Sequence, residues 1–163
     1  LLTGDFVADM VVKSNMHVGL LPAIIFIIAA ALSFATGTSW GTFGILMPIV
    51  FNVCEIAAPE LLLSAIAATL GGSCWGDHCS PISDTTVLAS TCAGCDHIQH
   101  VVTQMPYCVV GGICSVAGYL VAGFTRGSLV ATWVVSLALM VVLLIGGKKL
   151  MGGIPDVSKN TTV

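Results

Sequence analysis

Two aspartates in one short polar segment are the residues of this sequence best suited to chemistry. Asp77 and Asp84 lie in residues 76–86, which read GDHCSPISDTT. Ser80 followed by Pro81 predicts a helix start with proline at the first helical position, which puts Asp84 in or just beyond the first turn. The helix dipole there favours the charged carboxylate, whereas burial favours the protonated form. A carboxylate balanced in this way could bind Na⁺ or H⁺ in competition, and we expect Asp84 to be the stronger candidate for direct ion coordination.

Neighbouring polar side chains could complete such a site. Ser80, Ser83 and Thr85 supply hydroxyl oxygens, and hard cations take oxygen ligands. His78 could relay the proton, because an imidazole changes its charge near neutral pH. The alternatives are that each aspartate only caps a helix or satisfies a loop, and that His78 only forms a hydrogen bond within the segment.

A second segment offers neutral oxygens. Residues 36–42 read TGTSWGT, and their hydroxyl side chains are Thr36, Thr38, Ser39 and Thr42. A helix that ends near Ala35 would add unpaired carbonyl groups, whose partial negative charge suits a small cation. These oxygens fit sodium better than a soft transition metal. The alternative is that the hydroxyls only satisfy backbone groups that a helix break leaves free.

Composition indicates where both segments lie. Charged residues make up 8% of the 163 residues, against about 25% in a soluble domain, and hydrophobic residues make up 56%. Five Lys and Arg with eight Asp and Glu cannot cover a globule with polar groups, and the mean hydropathy is +1.03. These values exclude a soluble monomer, a disordered segment and a nucleic-acid binder, which needs a basic patch. The sequence therefore predicts an integral membrane protein, in which a buried acid is functional by default.

Two segments near the C-terminus predict transmembrane helices. Residues 101–124 and 128–147 carry no charge and are each about long enough to cross the hydrocarbon core. Only three residues separate them, so we expect a tight antiparallel pair. Three lysines follow the second segment and one arginine precedes it, which predicts a cytoplasmic tail over residues 148–163.

Residues 17–56 predict one transmembrane helix that is broken at its middle. A continuous helix over residues 18–55 would be roughly 57 Å long, longer than one crossing needs. The glycines and hydroxyl residues of segment 36–42 favour unwound backbone, which membranes tolerate only inside protein or beside a cavity. The alternative is a short polar loop between two separate helices. Glu55 is expected to be a solvated interfacial residue.

Residues 59–96 predict a re-entrant helical hairpin. The apolar arms, residues 61–72 and 87–94, are too short to cross, since the longer one gives roughly 18 Å of helix. We expect the arms to be antiparallel, to enter from the cytoplasmic side and to meet at a polar tip deep in the membrane. A broken helix together with such a tip is typical of transporters, whose half-helices direct dipoles and carbonyls at a midplane ion site.

Cysteines and histidines offer a competing interpretation. A set of six residues could bind zinc or copper, and we call it the Cys/His set: His78, Cys79, Cys92, Cys95, His97 and His100. A single CxxC is a weak signal, and a buried cysteine commonly acts as a small hydrophobic side chain. We therefore expect no metal site other than the sodium site. Packing at a membrane boundary is the preferred interpretation for His17, His97 and His100.

The two polar segments resemble the NhaC-type sodium/proton antiporters, whose relatives include the sodium-lactate/malate-proton antiporter. The matching strings are ATGTSWGTFG at residues 35–44, GDHCSPISDTT at residues 76–86, and parts of residues 93–101 and 103–107. The resemblance covers residues 17–110. It implies an inverted-repeat fold of the ion-transporter superfamily, in which this chain is the C-terminal half and an N-terminal repeat is missing.

Together these observations predict a secondary transporter and not an enzyme. We expect an all-α polytopic protein of the bacterial inner membrane that exchanges Na⁺ for H⁺, with no cofactor besides the transported ions. Its expected partners are the ions, the lipid bilayer and the missing repeat, and a homo-oligomer stays open. One alternative is a sodium-coupled carboxylate antiporter of the malate/lactate type. The other is a metal-binding membrane protein that uses the Cys/His set.

Overall fold

A computed structural model describes residues 17–150, with side chains as far as residue 146. These residues form six α-helices and two short 3-10 turns, with no strand in the described range. The helices are α1 (Leu21–Thr36), α2 (Ser39–Ala57), α3 (Leu62–Cys79), α4 (Asp84–Ala93), α5 (His97–Phe124) and α6 (Leu129–Leu150). The predicted all-helical class is confirmed. Most of the predicted tail, residues 151–163, lies outside the described residues.

Four helical stretches are long and apolar enough to cross a membrane. They are Val18–Thr36, Ser39–Ala57, His97–Phe124 and Leu129–Gly146. The two segments predicted near the C-terminus are therefore confirmed as helices of spanning length. α5 begins four residues earlier than predicted, because Asp96 caps it by accepting a hydrogen bond from the Gln99 amide at 2.8 Å.

The first hydrophobic stretch folds as a hairpin of two antiparallel helices. Leu21 and Ile25, near the start of α1, belong to the same core cluster as Val50 and Val53, near the end of α2. The prediction of one broken helix over residues 17–56 is therefore wrong, and the chain follows the alternative of two helices with a short connection.

The connection between α1 and α2 is only two residues long. Gly37 has a φ of 68°, a left-handed conformation that glycine adopts without strain, and its amide donates to the Ser33 carbonyl at 2.8 Å. Thr38 is extended and begins α2 as its N-cap. Thr36 and Ser39 are helical, so the unwound stretch is residues 37–38 and is shorter than the segment 36–42 that was predicted.

The second polar segment, between α3 and α4, interrupts the helix but does not reverse the direction of the chain. α3 begins near the C-terminal half of α5, where the Tyr119 hydroxyl donates to the Ala67 carbonyl at 2.9 Å. α4 ends at the opposite end of α5, where Ser90 Oγ lies 3.0 Å from His97 Nδ1. α3 and α4 thus lead from one end of a 28-residue helix to the other. The prediction of a re-entrant hairpin over residues 59–96 is therefore wrong.

Two local features explain why that prediction fails. α3 does not end at Gly72 but continues through Gly76 to Cys79, so it has 18 residues and not 12. The predicted helix start at Ser80 is also wrong, because α4 begins at Asp84 and its N-cap is Ser83, which accepts from the Thr85 amide at 3.2 Å. Asp84, expected in or just beyond the first turn of a helix that begins at Ser80, is instead the first residue of α4.

Glycines on α3 allow α1 and α3 to pack in parallel at close range. A Cβ added at Gly76 would overlap the Ala30 carbonyl, and one at Gly72 would overlap the Phe26 carbonyl. Small residues at such contacts let the backbones of membrane helices approach. The parallel packing aligns the two polar segments, because both helices end at the same level.

Candidate functional site

The α1–α2 turn lies directly against the segment between α3 and α4. A Cβ on Gly37 would come within 2.9 Å of the Ile82 carbonyl oxygen, and the Ser80 hydroxyl donates to the Phe34 carbonyl at 2.8 Å. We call residues 33–42 together with residues 73–86 the junction. The structure thus brings together the two segments in which all the predicted site residues lie.

Asp77 is the one carboxylate that is buried among the described residues. It is 5% exposed, and its Oδ1 is the one buried side-chain nitrogen or oxygen in the described part of the chain that has no hydrogen-bond partner. Buried polar groups are nearly always hydrogen-bonded, and burying an unpaired charge is strongly unfavourable. An unpaired buried carboxylate oxygen is therefore a candidate ligand for a cation or a proton.

Asp77 belongs to a polar stripe on α3 that faces the α1–α2 hairpin. Thr69, Ser73 and Asp77 follow one another at intervals of four residues, and all three are buried. The Ser33 hydroxyl of α1 donates to the Ser73 carbonyl at 2.6 Å, which shows that this stripe faces α1. Ser33 and Ser73 were missed in the sequence analysis. The spacing of Ser73 from Asp77 was the available signal.

Helix ends determine the electrostatics of the junction. α1 and α3 both end here, and the last carbonyls of a helix carry partial negative charge. Two of these carbonyls already accept hydrogen bonds from side chains: Ser80 donates to Phe34, and Gln104 donates to His78 at 3.0 Å. The remaining carbonyl charge adds to that of Asp77, so this side of the junction attracts a cation.

Asp84 has a different environment. It is the first residue of α4 and is exposed in the described part of the chain. There the positive end of the helix dipole stabilises its charge without any bound ion. Ser83 beside it is fully buried, and its hydroxyl lies 2.7 Å from that of the exposed Thr85.

The hydroxyls of the α1–α2 turn are largely used by the backbone. Thr36 donates to the Leu32 carbonyl at 2.9 Å, and Thr42 donates to the Thr38 carbonyl at 2.8 Å. Thr38 Oγ1 accepts from the Gly41 amide at 3.5 Å, and Ser39 is half-buried in the first turn of α2. These contacts match the alternative in which the hydroxyls satisfy backbone groups.

The two histidines nearest the junction have distinct contacts. His78 is exposed, and its Nδ1 lies 2.8 Å from the Cys74 carbonyl of its own helix. His97 is half-buried, and its ring lies between Ser90 and the Pro81 carbonyl, which is 2.7 Å from Nε2. His97 is therefore a structural neighbour of the junction, and not only the boundary residue that we expected.

The alternative of a metal centre has no site in the described part of the chain. Between residues 17 and 146, no three His, Cys, Asp or Glu side chains lie close enough to hold a metal ion. The Cys/His set is thus not assembled into one cluster there. All seven cysteines are free thiols in the structure.

Comparisons with known proteins identify the family. Residues 2–124 match the family model described as the Na⁺/H⁺ antiporter family. The chain belongs to the Na⁺/H⁺ antiporter family. Together with its apolar helices, this membership makes it an integral membrane protein. No solved structure gives a significant match to the chain.

Three curated relatives are similar to the chain, and two of them are named as antiporters. An uncharacterized protein of Haemophilus influenzae is 45% identical over 86% of this chain and 27% of its own length. The malate-2H⁺/Na⁺-lactate antiporter of Bacillus subtilis is 32% identical over 91% of this chain and 37% of its own length. An uncharacterized Na⁺/H⁺ antiporter of Haemophilus influenzae is 31% identical over 76% of this chain and 28% of its own length. The chain thus spans 27–37% of the length of these relatives, and the family context supports antiport.

Proposed function

We propose that the full-length protein is a secondary antiporter that exchanges Na⁺ for H⁺ across the bacterial inner membrane, with Asp77 as the shared binding group. The observation that carries this proposal is the buried Oδ1 of Asp77, which has no partner among the described residues. Membership of the Na⁺/H⁺ antiporter family supports the same ions. The NhaC subtype and the inverted-repeat fold are part of the proposal.

The proposed coupling follows from the cost of a buried charge. An unpaired carboxylate in a low-dielectric site is unfavourable, whereas a carboxylate with either a sodium ion or a proton is neutral overall. The site of Asp77 therefore changes its access from one side of the membrane to the other only when the carboxylate holds one cation or the other. Because the two cations compete for one oxygen pair, inward movement of one is linked to outward movement of the other.

Other junction residues have supporting roles in the proposed cycle. The C-terminal carbonyls of α1 and α3 add oxygen ligands, with Ser80, Ser83, Thr85, Thr36, Thr38 and Ser39 as further hydroxyl candidates. Asp84 is exposed on the described part of the chain, so we propose that it faces the other repeat that an inverted-repeat fold implies for the full-length protein. His78 is also exposed, which suits a proton relay between Asp77 and water.

The proposal is tested with the full-length protein in vesicles that contain a pH-sensitive dye. An imposed Na⁺ gradient is expected to move protons in the opposite direction, while an equal K⁺ gradient has little effect. Vesicles with Asp77→Asn protein should show no Na⁺-driven proton movement. Wild-type vesicles that stay unresponsive to Na⁺ would contradict the proposal.

Sodium-coupled carboxylate exchange is the second candidate. The observation in its favour is the 32% identity to the malate-2H⁺/Na⁺-lactate antiporter of Bacillus subtilis, over 91% of this chain. The same vesicles distinguish the two candidates when lactate or malate is placed on one side. Simple Na⁺/H⁺ exchange predicts the same proton flux with and without the organic acid. A flux that requires the acid supports the second candidate.

A further inference from the structure

We propose that His97 is a positioning residue, which ties the start of α5 to the segment between α3 and α4 and so keeps the junction in its ion-binding shape. This inference rests on the proposed function, because it concerns the same ion site. The sequence analysis assigned His97 only to packing at a membrane boundary.

The imidazole of His97 contacts the chain on both sides of the start of α4. Nε2 lies 2.7 Å from the Pro81 carbonyl oxygen, and Nδ1 lies 3.0 Å from Ser90 Oγ. A carbonyl oxygen only accepts, so Nε2 must carry a hydrogen and donate it. The Ser90 hydroxyl has a single hydrogen, which it donates either to Nδ1 of the neutral ring or to the Val87 carbonyl at 2.9 Å. Ser90 is 1% exposed, so this second contact is shielded from water.

The segment between α3 and α4 has few strong hydrogen bonds of its own. Within it, the Ser83 amide donates to the Ser80 carbonyl and the Ile82 amide to the Ser80 hydroxyl, both at 3.3 Å. These distances exceed the usual range for an amide donor. The shorter contacts come from outside the segment: the Ser80 hydroxyl donates to Phe34 of α1, and His97 donates to Pro81. His97 therefore supplies one of the two hydrogen bonds that join this segment to helices other than α3 and α4.

A change in this segment reaches Asp77 directly. The Ser80 amide donates to the Asp77 carbonyl at 3.0 Å, so the last turn of α3 and the segment share a hydrogen bond. If the segment loses the support of His97, the junction spends less time in the shape that binds the ion. The apparent dissociation constant then rises in inverse proportion to the competent fraction.

Two amide substitutions at position 97 distinguish the contact of Nε2 with Pro81 from the contact of Nδ1 with Ser90. His97→Gln places an amide nitrogen near the position of Nε2, where it can still donate to Pro81. His97→Asn places its amide nitrogen near the position of Nδ1 and cannot reach Pro81. His100→Asn is the matched control, since His100 lies one turn further along α5 and shows no side-chain hydrogen bond to the described residues.

In the full-length protein, we expect His97→Asn to weaken the apparent Na⁺ affinity about 3- to 10-fold, the loss typical of one hydrogen bond. The maximal rate should change less than the affinity. His97→Gln and His100→Asn should stay within about twofold of wild type. Equal effects of Asn and Gln at position 97, or a change confined to the maximal rate, would overturn the positioning role.

Hydrogen–deuterium exchange tests the support independently of transport. The amides of residues 82–87 should exchange faster in His97→Asn than in wild type, and at the wild-type rate in His97→Gln. An unchanged deuterium exchange rate in His97→Asn would overturn the inference even if the protein transports Na⁺ against H⁺. Wild-type protein could fail to transport Na⁺ against H⁺ while the amides of His97→Asn still exchange deuterium faster than those of wild type. In that case the proposed function fails and the support by His97 stands.

Discussion

At the scale of single residues, the two aspartates of the junction differ in what stabilises their charge. Asp84 is exposed at the N-terminus of α4, beside the positive end of the helix dipole. Asp77 is buried in the last turn of α3 and has an unpartnered oxygen in the described part of the chain. A charge without such compensation needs a bound cation or a proton. This difference makes Asp77 the better candidate for the group that exchanges ions.

The first prediction compares the two aspartates by the same substitution. Asp77→Asn keeps the shape of the side chain but removes its charge, so Na⁺-driven proton movement should fall to the background rate. Asp84→Asn should retain measurable exchange with a weaker apparent Na⁺ affinity. Both variants are measured in vesicles at equal protein content. Loss of exchange in Asp84→Asn together with normal exchange in Asp77→Asn would reverse the assignment.

The second prediction concerns pH. Protons compete with Na⁺ for one carboxylate, so raising the pH removes the competitor and the apparent Na⁺ affinity should increase. The increase should reach up to about tenfold per pH unit while the site is mostly protonated. Initial rates over a series of Na⁺ concentrations at each pH give this dependence. An apparent affinity that does not change with pH would contradict a shared carboxylate.

At the scale of helices, the contact between α1 and α3 positions the junction. Both helices run in the same direction, and glycines at positions 72 and 76 let them approach closely enough for Ser33 to reach the Ser73 carbonyl. The same contact aligns the end of α1 with the end of α3. A wider separation of α1 and α3 would pull the α1–α2 turn away from the segment after α3.

The third prediction tests this contact. Gly76→Ala forces a methyl group against the Ala30 carbonyl and should destabilise the protein by about 1–3 kcal/mol, as overpacking generally does. Gly44→Ala is the matched control, because a Cβ at Gly44 meets no atom within 4 Å and alanine favours the helix. Thermal unfolding in detergent compares the two variants. A Gly76→Ala protein as stable as the control would show that the close packing is not required.

At the scale of the whole molecule, the two polar segments have opposite effects on the direction of the chain. The α1–α2 turn reverses it, whereas the segment between α3 and α4 lets it continue to the far end of α5. A reversing hairpin and a continuing, interrupted helix therefore meet at the junction. This arrangement directs several helix ends at one region, as transporter ion sites require.

The fourth prediction follows from this path. Cysteines introduced at Glu60 and Gln99 should react with a membrane-impermeant reagent from opposite sides of the membrane, because these exposed positions lie near opposite ends of α5. The background for this measurement replaces the exposed Cys74, Cys92 and Cys95 by serine. Labelling of both positions from the same side would contradict the path and restore the re-entrant hairpin.

Features that depend on neighbouring residues were determined by the sequence alone. The apolar, charge-free segments predicted α5 and α6, because span length and helix hydrogen bonding are local properties. The polar segments 36–42 and 76–86, which are rich in glycine, proline and hydroxyl residues, likewise contain both helix interruptions, since glycine permits a left-handed φ and proline lacks an amide hydrogen. The residues that form the junction could therefore be identified before their arrangement was known.

Only the tertiary structure decided where each interrupted chain turns and which aspartate is buried. The direction of α2 depends on packing between residues far apart in sequence, such as Leu21 and Val50 of one core cluster, and that of α4 on the contact of Ser90 with His97. Asp77 and Asp84 are chemically identical, and their exposure differs because one lies on the face of α3 that packs on α1 while the other starts a separate helix. The role of His97 depends on the approach of Pro81 and Ser90 to one ring. No local pattern encodes such distances, because they result from the packing of whole helices.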